Sequence, residues 1–406
     1  MPEMSGRFGI PVCVAQQAID FFAQAKTRSL HKLDVYGKYL QPLVFKWGQL
    51  AGPRRPGRHI WLIDGFAGAG RYQPDDGGQA QDGSPLVAAK WARQIAVDRR
   101  YPLVRCINVE RDKECFAELE RNLAPWTSGA DVAINLRGEF SEHIDLILET
   151  IGNDPALIFL DPFGVSGIEM ELVEKALARA GKTELIVHFS DKTFLRMAGH
   201  LDNNDERLPV GQKVAESKLA RLDAVIGNRL WRRIWTDQSR STDDAIAATI
   251  ELYLSELRLR IGYAHQIPIR DAFSDRPAYR LVFCTGSAHG VELMSDIARR
   301  YEARLKETHD AGTMTLWEDQ EARQRLTDLR DAIHAAGLLH GTVTREQIIH
   351  ELAPKHFGKY TSTEYARAIR ELVGMGLIER QNAVGIEPRE PLMFVRPAQG
   401  SLLLSG

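Results

Sequence analysis

Between residues 59 and 189, short apolar runs alternate with stretches of helical period, and this alternation narrows the possible folds more than any other feature. Apolar runs stand at 59–63 (HIWLI), 103–109 (LVRCINV), 131–136 (DVAINL), 156–160 (ALIFL) and 184–189 (ELIVHF). Helical patterns at 84–98, 111–123, 141–151 and 169–180 separate them. Short apolar strands spaced by helices predict a parallel sheet covered on both faces, a doubly wound, Rossmann-like α/β domain.

Two further strands are predicted at 262–269 (GYAHQIPI) and 278–285 (AYRLVFCT), after a mostly helical, charged insertion at about 195–260. Only a loop containing Pro277 joins them, so they must pair antiparallel. Five strand–helix units closed by an antiparallel final hairpin give the element order of a class I methyltransferase sheet. A dinucleotide-binding domain would continue with a sixth strand–helix unit, which counts against a nicotinamide-dependent oxidoreductase. The domain is placed at 59–310. Residues 1–58 form a helical lead-in, with a helix over 29–50 that Pro42 is expected to break or kink, followed by the loop AGPRRPG.

The tail, 320–398, has helical patterns at 321–336, 344–353 and 361–376. GLIERQNAVGIEPREPLMFV then reads as two strands around a turn-rich loop. Three helices and a β-hairpin predict a winged-helix-like module. Residues 321–396 hold 11 Lys/Arg against 10 Asp/Glu, and the whole chain carries a net charge of −2, so no broad basic footprint supports nucleic-acid binding. Lys355, Lys359, Arg367 and Arg370 cluster near the third helix and are the candidates for a local one. Contact with DNA and contact with protein both remain open for this module.

The four cysteines, Cys13, Cys106, Cys115 and Cys284, lack C-x-x-C spacing, which argues against a cysteine zinc site and a disulfide framework. No metal ligand set is assigned. No apolar run approaches a membrane span and no signal-peptide pattern opens the chain, so a cytoplasmic protein without membrane contact is expected.

The first strand runs into DGFAGAG, where Asp64 precedes Gly65, Phe66, Gly68 and Gly70. Glycines after a first parallel strand let backbone N–H groups approach a ligand. The spacing G-x-x-G-x-G is not the dinucleotide fingerprint, and an acid before it suits a cationic ligand better than a pyrophosphate. The sulfonium and amino group of S-adenosylmethionine fit that description. Glu110, at the end of the second strand, is the candidate for a ribose diol, and Glu139 and Phe140, after the third, for the adenine. In DGSPLVAAKW, Ser84 reads as an N-cap with Pro85 at the first helical position, and its helix start can face the ligand.

The fourth strand ends in Asp161, Pro162 and Phe163. A carboxylate and a carbonyl fixed side by side can hold both hydrogens of an amine and aim its lone pair at a methyl group. Phe163 is placed to stack on a flat base. Lys32, Tyr36 and Lys38 in the leading helix, and His188, Asp191 and Lys192 after the fifth strand, are secondary candidates, His188 reading first as a core histidine. RLWRRIW, 229–235, reads as an amphipathic helix before it reads as a single-strand grip.

LDPFG resembles the [D/N]-P-P-[Y/F/W] motif of amino-group methyltransferases, with Phe163 in place of the second proline and Gly164 in place of the aromatic residue. HKLDVYGKYL, IDGFAGAGRY, DGSPLVAA and FLDPFG, in that order and spacing over about residues 28–300, resemble the three-Cys-motif partner protein family. That resemblance implies a class I methyltransferase-like fold and cofactor and, as a partner, a separate protein bearing three cysteines. It implies no acceptor. The expected function is S-adenosylmethionine-dependent methylation of an amine, of a nucleic-acid base in the first instance. The alternative is a non-catalytic methyltransferase-like partner protein that docks to a second enzyme or to DNA through its winged helix.

Overall fold

The computed structural model describes residues 27–51, 58–72, 80–98, 100–127, 132–201, 209–270, 277, 279–309, 316–380 and 389–396. Cys13, residues 52–57 of the AGPRRPG loop, residues 73–79 and residues 381–388 of the final turn-rich loop lie outside them. The chain divides into two compact units, Met1–Thr183 and Glu184–Gly406.

The first unit opens with α1 (Thr27–Ala51), which runs without interruption through Pro42. The expected break is absent. One proline removes one backbone donor, whereas Tyr36, Tyr39, Leu40, Leu43, Val44 and Trp47 are all buried along this helix and hold it in place. Then follow β1 (His59–Asp64), the two-residue strands β2 (Arg71–Tyr72) and β3 (Gln81–Asp82), α2 (Ser84–Ala96), β4 (Leu103–Glu110), α3 (Lys113–Thr127), β5 (Ala133–Arg137), α4 (Phe140–Ile151), β6 (Ala156–Leu160) and α5 (Met170–Leu177). β4, β1 and β6 lie side by side and parallel, with β5 outside β4. All five residues of β6 and five of six in β1 are buried, as strands covered on both faces require. The register pairs Asp64 with Asn108 of β4 and with Phe159 of β6. Asp64, Glu110 and Asp161 therefore reach the same carboxyl edge within two residues of one another.

The second unit contains β7 (Thr183–Phe189), whose first residue falls at the division, then α6 (Asp191–Ala198), α7 (Pro209–Ile226), α8 (Leu230–Thr236), α9 (Thr242–Ile261), β8 (Tyr263–Ile269), β9 (Tyr279–Thr285) and α10 (Ala288–His309). β9 is antiparallel to both β7 and β8. The seven-stranded sheet has the order β5-β4-β1-β6-β7-β9-β8, a Rossmann-like, mostly parallel sheet with an antiparallel final hairpin.

The tail comprises α11 (Leu316–His340), β10 (Thr342–Thr344), α12 (Arg345–Leu352), α13 (Ser362–Gly374), β11 (Ile378–Arg380) and β12 (Pro391–Phe394). Its sheet has the antiparallel order β10-β12-β11. Leu329, Ile333, Ile348, Ile349, Ile369, Leu372 and Leu392 form its core. Among the described residues no helix is long and apolar enough to cross a membrane.

Candidate active site

Asp64 ends β1 at 3% exposure, and its Oδ1 accepts the Phe66 N–H at 3.0 Å. Its Oδ2 is buried without a hydrogen-bond partner. Burial pushes the carboxyl up to about 7; Ser84 and the Phe66 N–H act downward, Asp161 upward and Lys32 downward.

The glycine turn that follows is tied on several sides. The Gly65 N–H continues the ladder onto Phe159 O at 2.9 Å, and the Ala67 N–H donates to Val109 O at 2.9 Å. A Cβ on Gly65 would come within 2.6 Å of Leu160 Cδ2 and 3.1 Å of Phe140 Cδ2. Gly68 and Gly70 have φ of 59° and 75°, in the left-handed region that disfavours other residues. Asn122 of α3, unmarked by any motif, donates from Nδ2 to Ala69 O at 2.8 Å.

Glu110 braces this turn. Its Oε2 accepts the Gly68 N–H at 2.8 Å and its Oε1 the Asp112 N–H at 2.7 Å. Burial raises its pKa, while those two N–H groups act against the rise. Each oxygen keeps further acceptor capacity.

Ser84 is not the N-cap of α2. Gly83 holds that place, and Pro85 is therefore the second helical residue rather than the first. The Gly83 N–H donates to Gly70 O at 2.8 Å, and a Cβ there would lie 2.9 Å from that oxygen. This close approach sets the chain reversal one residue earlier than the sequence signal suggests. The Ser84 side chain is instead buried and acts on Asp64.

Glu139 caps α4 in a capping box with Glu142, and its largely exposed carboxylate faces Arg111. Phe140 is fully buried beneath Gly65.

At the end of β6, Asp161 forms an ion pair with Lys32 of α1, a partnership no spacing rule could reveal across 129 positions. Lys32 is itself buried. Burial is the largest influence on it and pulls its pKa down, but Asp161, Tyr72 and Asp64 together outweigh this and the net direction is upward. Lys32 is thus an ammonium, not a base. Tyr36, one turn further along α1, stacks on Phe159 with centroids 4.7 Å apart, whereas Lys38 pairs with Asp34. The Pro162 carbonyl accepts the Gly164 N–H at 2.9 Å, so part of its acceptor capacity is already used within the turn. Phe163 stands 55% exposed.

In the second unit, Asp191 is buried in a two-pronged ion pair with Arg280 Nε at 3.1 and 3.0 Å. His188 packs edge-on against Tyr279, and Lys192 is exposed. The 229–235 stripe is an amphipathic helix: Trp231 is buried and donates to Asp223 Oδ1 at 3.0 Å, and Arg232 pairs with the same carboxylate. In the tail, Lys355 pairs with Glu351 and Arg367 with Glu371, each one helical turn away. Lys359 and Arg370 are exposed nearby.

No family model matches the chain, and no curated protein sequence does. Among solved structures, it is similar to the O-methyltransferase TomG of Streptomyces achromogenes in complex with SAM, at 13% identity and TM-score 0.31, covering 67% of this chain and 88% of that one. The O-methyltransferase of Bacillus cereus in complex with SAH gives 13% identity and TM-score 0.32, over 68% and 92%. The yhhF protein of Escherichia coli gives 17% identity and TM-score 0.20 over 32% of this chain, which spans 57% of yhhF.

Proposed function

We propose that the chain is an S-adenosylmethionine-dependent methyltransferase acting on an amine, with a nucleic-acid base as the first acceptor class to test. The observation that carries this is the buried, unpartnered Asp64 Oδ2 at the head of a glycine turn. A buried carboxyl raised to about 7 is costly in isolation and becomes favourable beside a cationic ligand. Glycines packed so closely that a Cβ would clash fit the same cradle.

When bound, the cofactor supplies an electrophilic methyl group on a sulfonium. Asp64 would hold the cationic end, and Glu110 the ribose hydroxyls through its remaining acceptor capacity. Gly65, Phe66, Gly68 and Gly70 would shape the approach. Asp161 would accept hydrogens of the acceptor amine, with Pro162 stiffening the turn and Phe163 offering its ring to a base. Lys32 would orient Asp161 without taking a proton.

Calorimetric titration with S-adenosylhomocysteine tests the reading. Binding by the wild type that is lost in Asp64→Asn supports it; no binding to folded wild-type protein at millimolar ligand refutes it. With binding established, Asp161→Asn should keep cofactor affinity and lose methyl transfer.

Two observations favour a second reading. Asp161 is already ion-paired and the Pro162 carbonyl already accepts a hydrogen bond. Both suit a methyltransferase-like scaffold whose winged-helix-like tail docks to DNA or to a partner, a three-cysteine protein included. Methyl transfer to no DNA, RNA or protein acceptor, together with stable capture of such a protein, would favour it.

A further inference from the structure

Two helices of the second unit bring four potential ligands face to face. α10 carries His289 and Glu292, three positions apart, and α12 carries Glu346 and His350, four apart. Both spacings put each pair on one helix face. His289, Glu346 and His350 offer ligand atoms that all lie within 4.8 Å of one another.

The two nitrogens of His289 point to different neighbours, and this decides which atoms can share an ion. Nδ1 lies 3.0 Å from His350 Nε2 and 3.8 Å from Glu292 Oε2, and His350 Nε2 lies 3.7 Å from that same oxygen. The point equidistant from these three atoms is about 2 Å from each, the bond length of zinc to imidazole and carboxylate. The rings meet at 90° with centroids 4.1 Å apart, and without an ion the two nitrogens share a hydrogen bond that a bound cation would replace. The other nitrogen, Nε2, lies 2.8 Å from Glu346 Oε1, and Arg389 Nε is 3.5 Å from Glu346 Oε2. A carboxylate on the far nitrogen is the usual means of fixing a metal-bound histidine.

We propose that His289 Nδ1, His350 Nε2 and Glu292 Oε2 bind one zinc-class divalent cation, with Glu346 as the positioning residue for His289. Two imidazoles and a carboxylate at this radius suit zinc or a neighbouring first-row metal; calcium and magnesium take all-oxygen sets, calcium at longer distances. Three protein ligands leave a fourth position for water. The ion would fasten α12, and with it the tail, to α10. Cysteine spacing could not reveal this site, because its ligands are two histidines and a glutamate.

The test uses the full chain, stripped with a chelator that is then removed, and titrated with Co²⁺ by visible absorption and with Zn²⁺ by calorimetry. One equivalent per chain is expected, with the d–d bands of a four-coordinate ion and a rise in Tm on zinc addition. His350→Ala and Glu292→Gln should lose both signals while keeping their far-UV circular dichroism. Glu346→Gln should weaken binding 10–100-fold. His340→Ala, an exposed histidine nearby, should behave as wild type. Absence of bands and of a Tm shift in the wild type, or full binding by His350→Ala, would overturn the proposal. If both ligand variants unfold, stoichiometry and spectrum of the wild type still decide it.

Discussion

Replacing Asp64 by Asn should make the ligand-free protein more stable at alkaline pH while weakening its cofactor binding. The native carboxyl sits at about 7 against an ordinary 3.8, chiefly because it is buried. A folded-state pKa raised in this way contributes stability that is fully present below about 3.8 and is lost as the pH rises through about 7. At 1.36 kcal/mol per pH unit, the gap between those values caps the loss at about 4 kcal/mol. Asn keeps the oxygen that accepts the Phe66 N–H but brings an amide donor to the place of the unpartnered Oδ2, which takes back about 1–3 kcal/mol. The net gain at pH 8 is then about 1–3 kcal/mol. The change with pH is the firmer quantity, because the amide penalty does not titrate. The advantage of Asn should shrink by about 2–3 kcal/mol between pH 8 and pH 5.

Urea unfolding of both proteins at several pH values measures this directly. Calorimetry with S-adenosylhomocysteine over the same range gives the complementary sign: the cationic amino group should bind wild type more tightly as Asp64 ionises, with a weaker and flatter profile in Asn. An Asn variant no more stable than wild type at pH 8, or a difference that does not move with pH, would refute the reasoning.

Gly65→Ala should destabilise by about 1–3 kcal/mol in thermal unfolding, since its Cβ would press on Leu160 and Phe140 between packed strands. Lys32→Met should cost about 3–5 kcal/mol by stranding Asp161; the double variant Lys32→Met/Asp161→Asn should recover much of that, and a denaturant double-mutant cycle showing no coupling would contradict the pair. Arg367→Ala should change stability by less than about 1 kcal/mol, because its ion pair with Glu371 is exposed, so any loss of DNA binding in a salt titration would report contact rather than folding.

What the sequence reveals and what it hides follow from the range of the interactions involved. Buried parallel strands leave runs such as ALIFL, and β6 lies where that run predicts it. The final hairpin is legible because the stretch of sequence between β8 and β9 is too short for a crossover helix, which leaves antiparallel pairing. Asp64, Glu110 and Asp161 fell on one edge because strand ends in a parallel sheet align. Short ladders such as β2–β3 and β10 bury too little to leave a period in the sequence. Pairings between distant positions, Lys32 with Asp161 or Asn122 with Ala69, leave no local trace at all. The cap of α2 lies at Gly83, one residue before the Ser84 signal, because the backbone approach of Gly83 onto Gly70 overrides a side-chain preference.

The charge balance at this edge bears on which ligand the turn can accept. Asp64 and Glu110 are buried carboxyls whose pKa values burial raises, and Asp161 stands close enough to raise Asp64 further. Lys32 is the cation buried among them, already ion-paired with Asp161. Bringing a pyrophosphate to the turn would set its negative charge against Asp64 and Glu110 in a poorly screened site, adding to a cost the protein already bears. A sulfonium or an ammonium reverses the sign, and ionisation of Asp64 then strengthens binding. The charge behind this glycine turn thus favours a cationic ligand over a pyrophosphate, as the proposed cofactor requires.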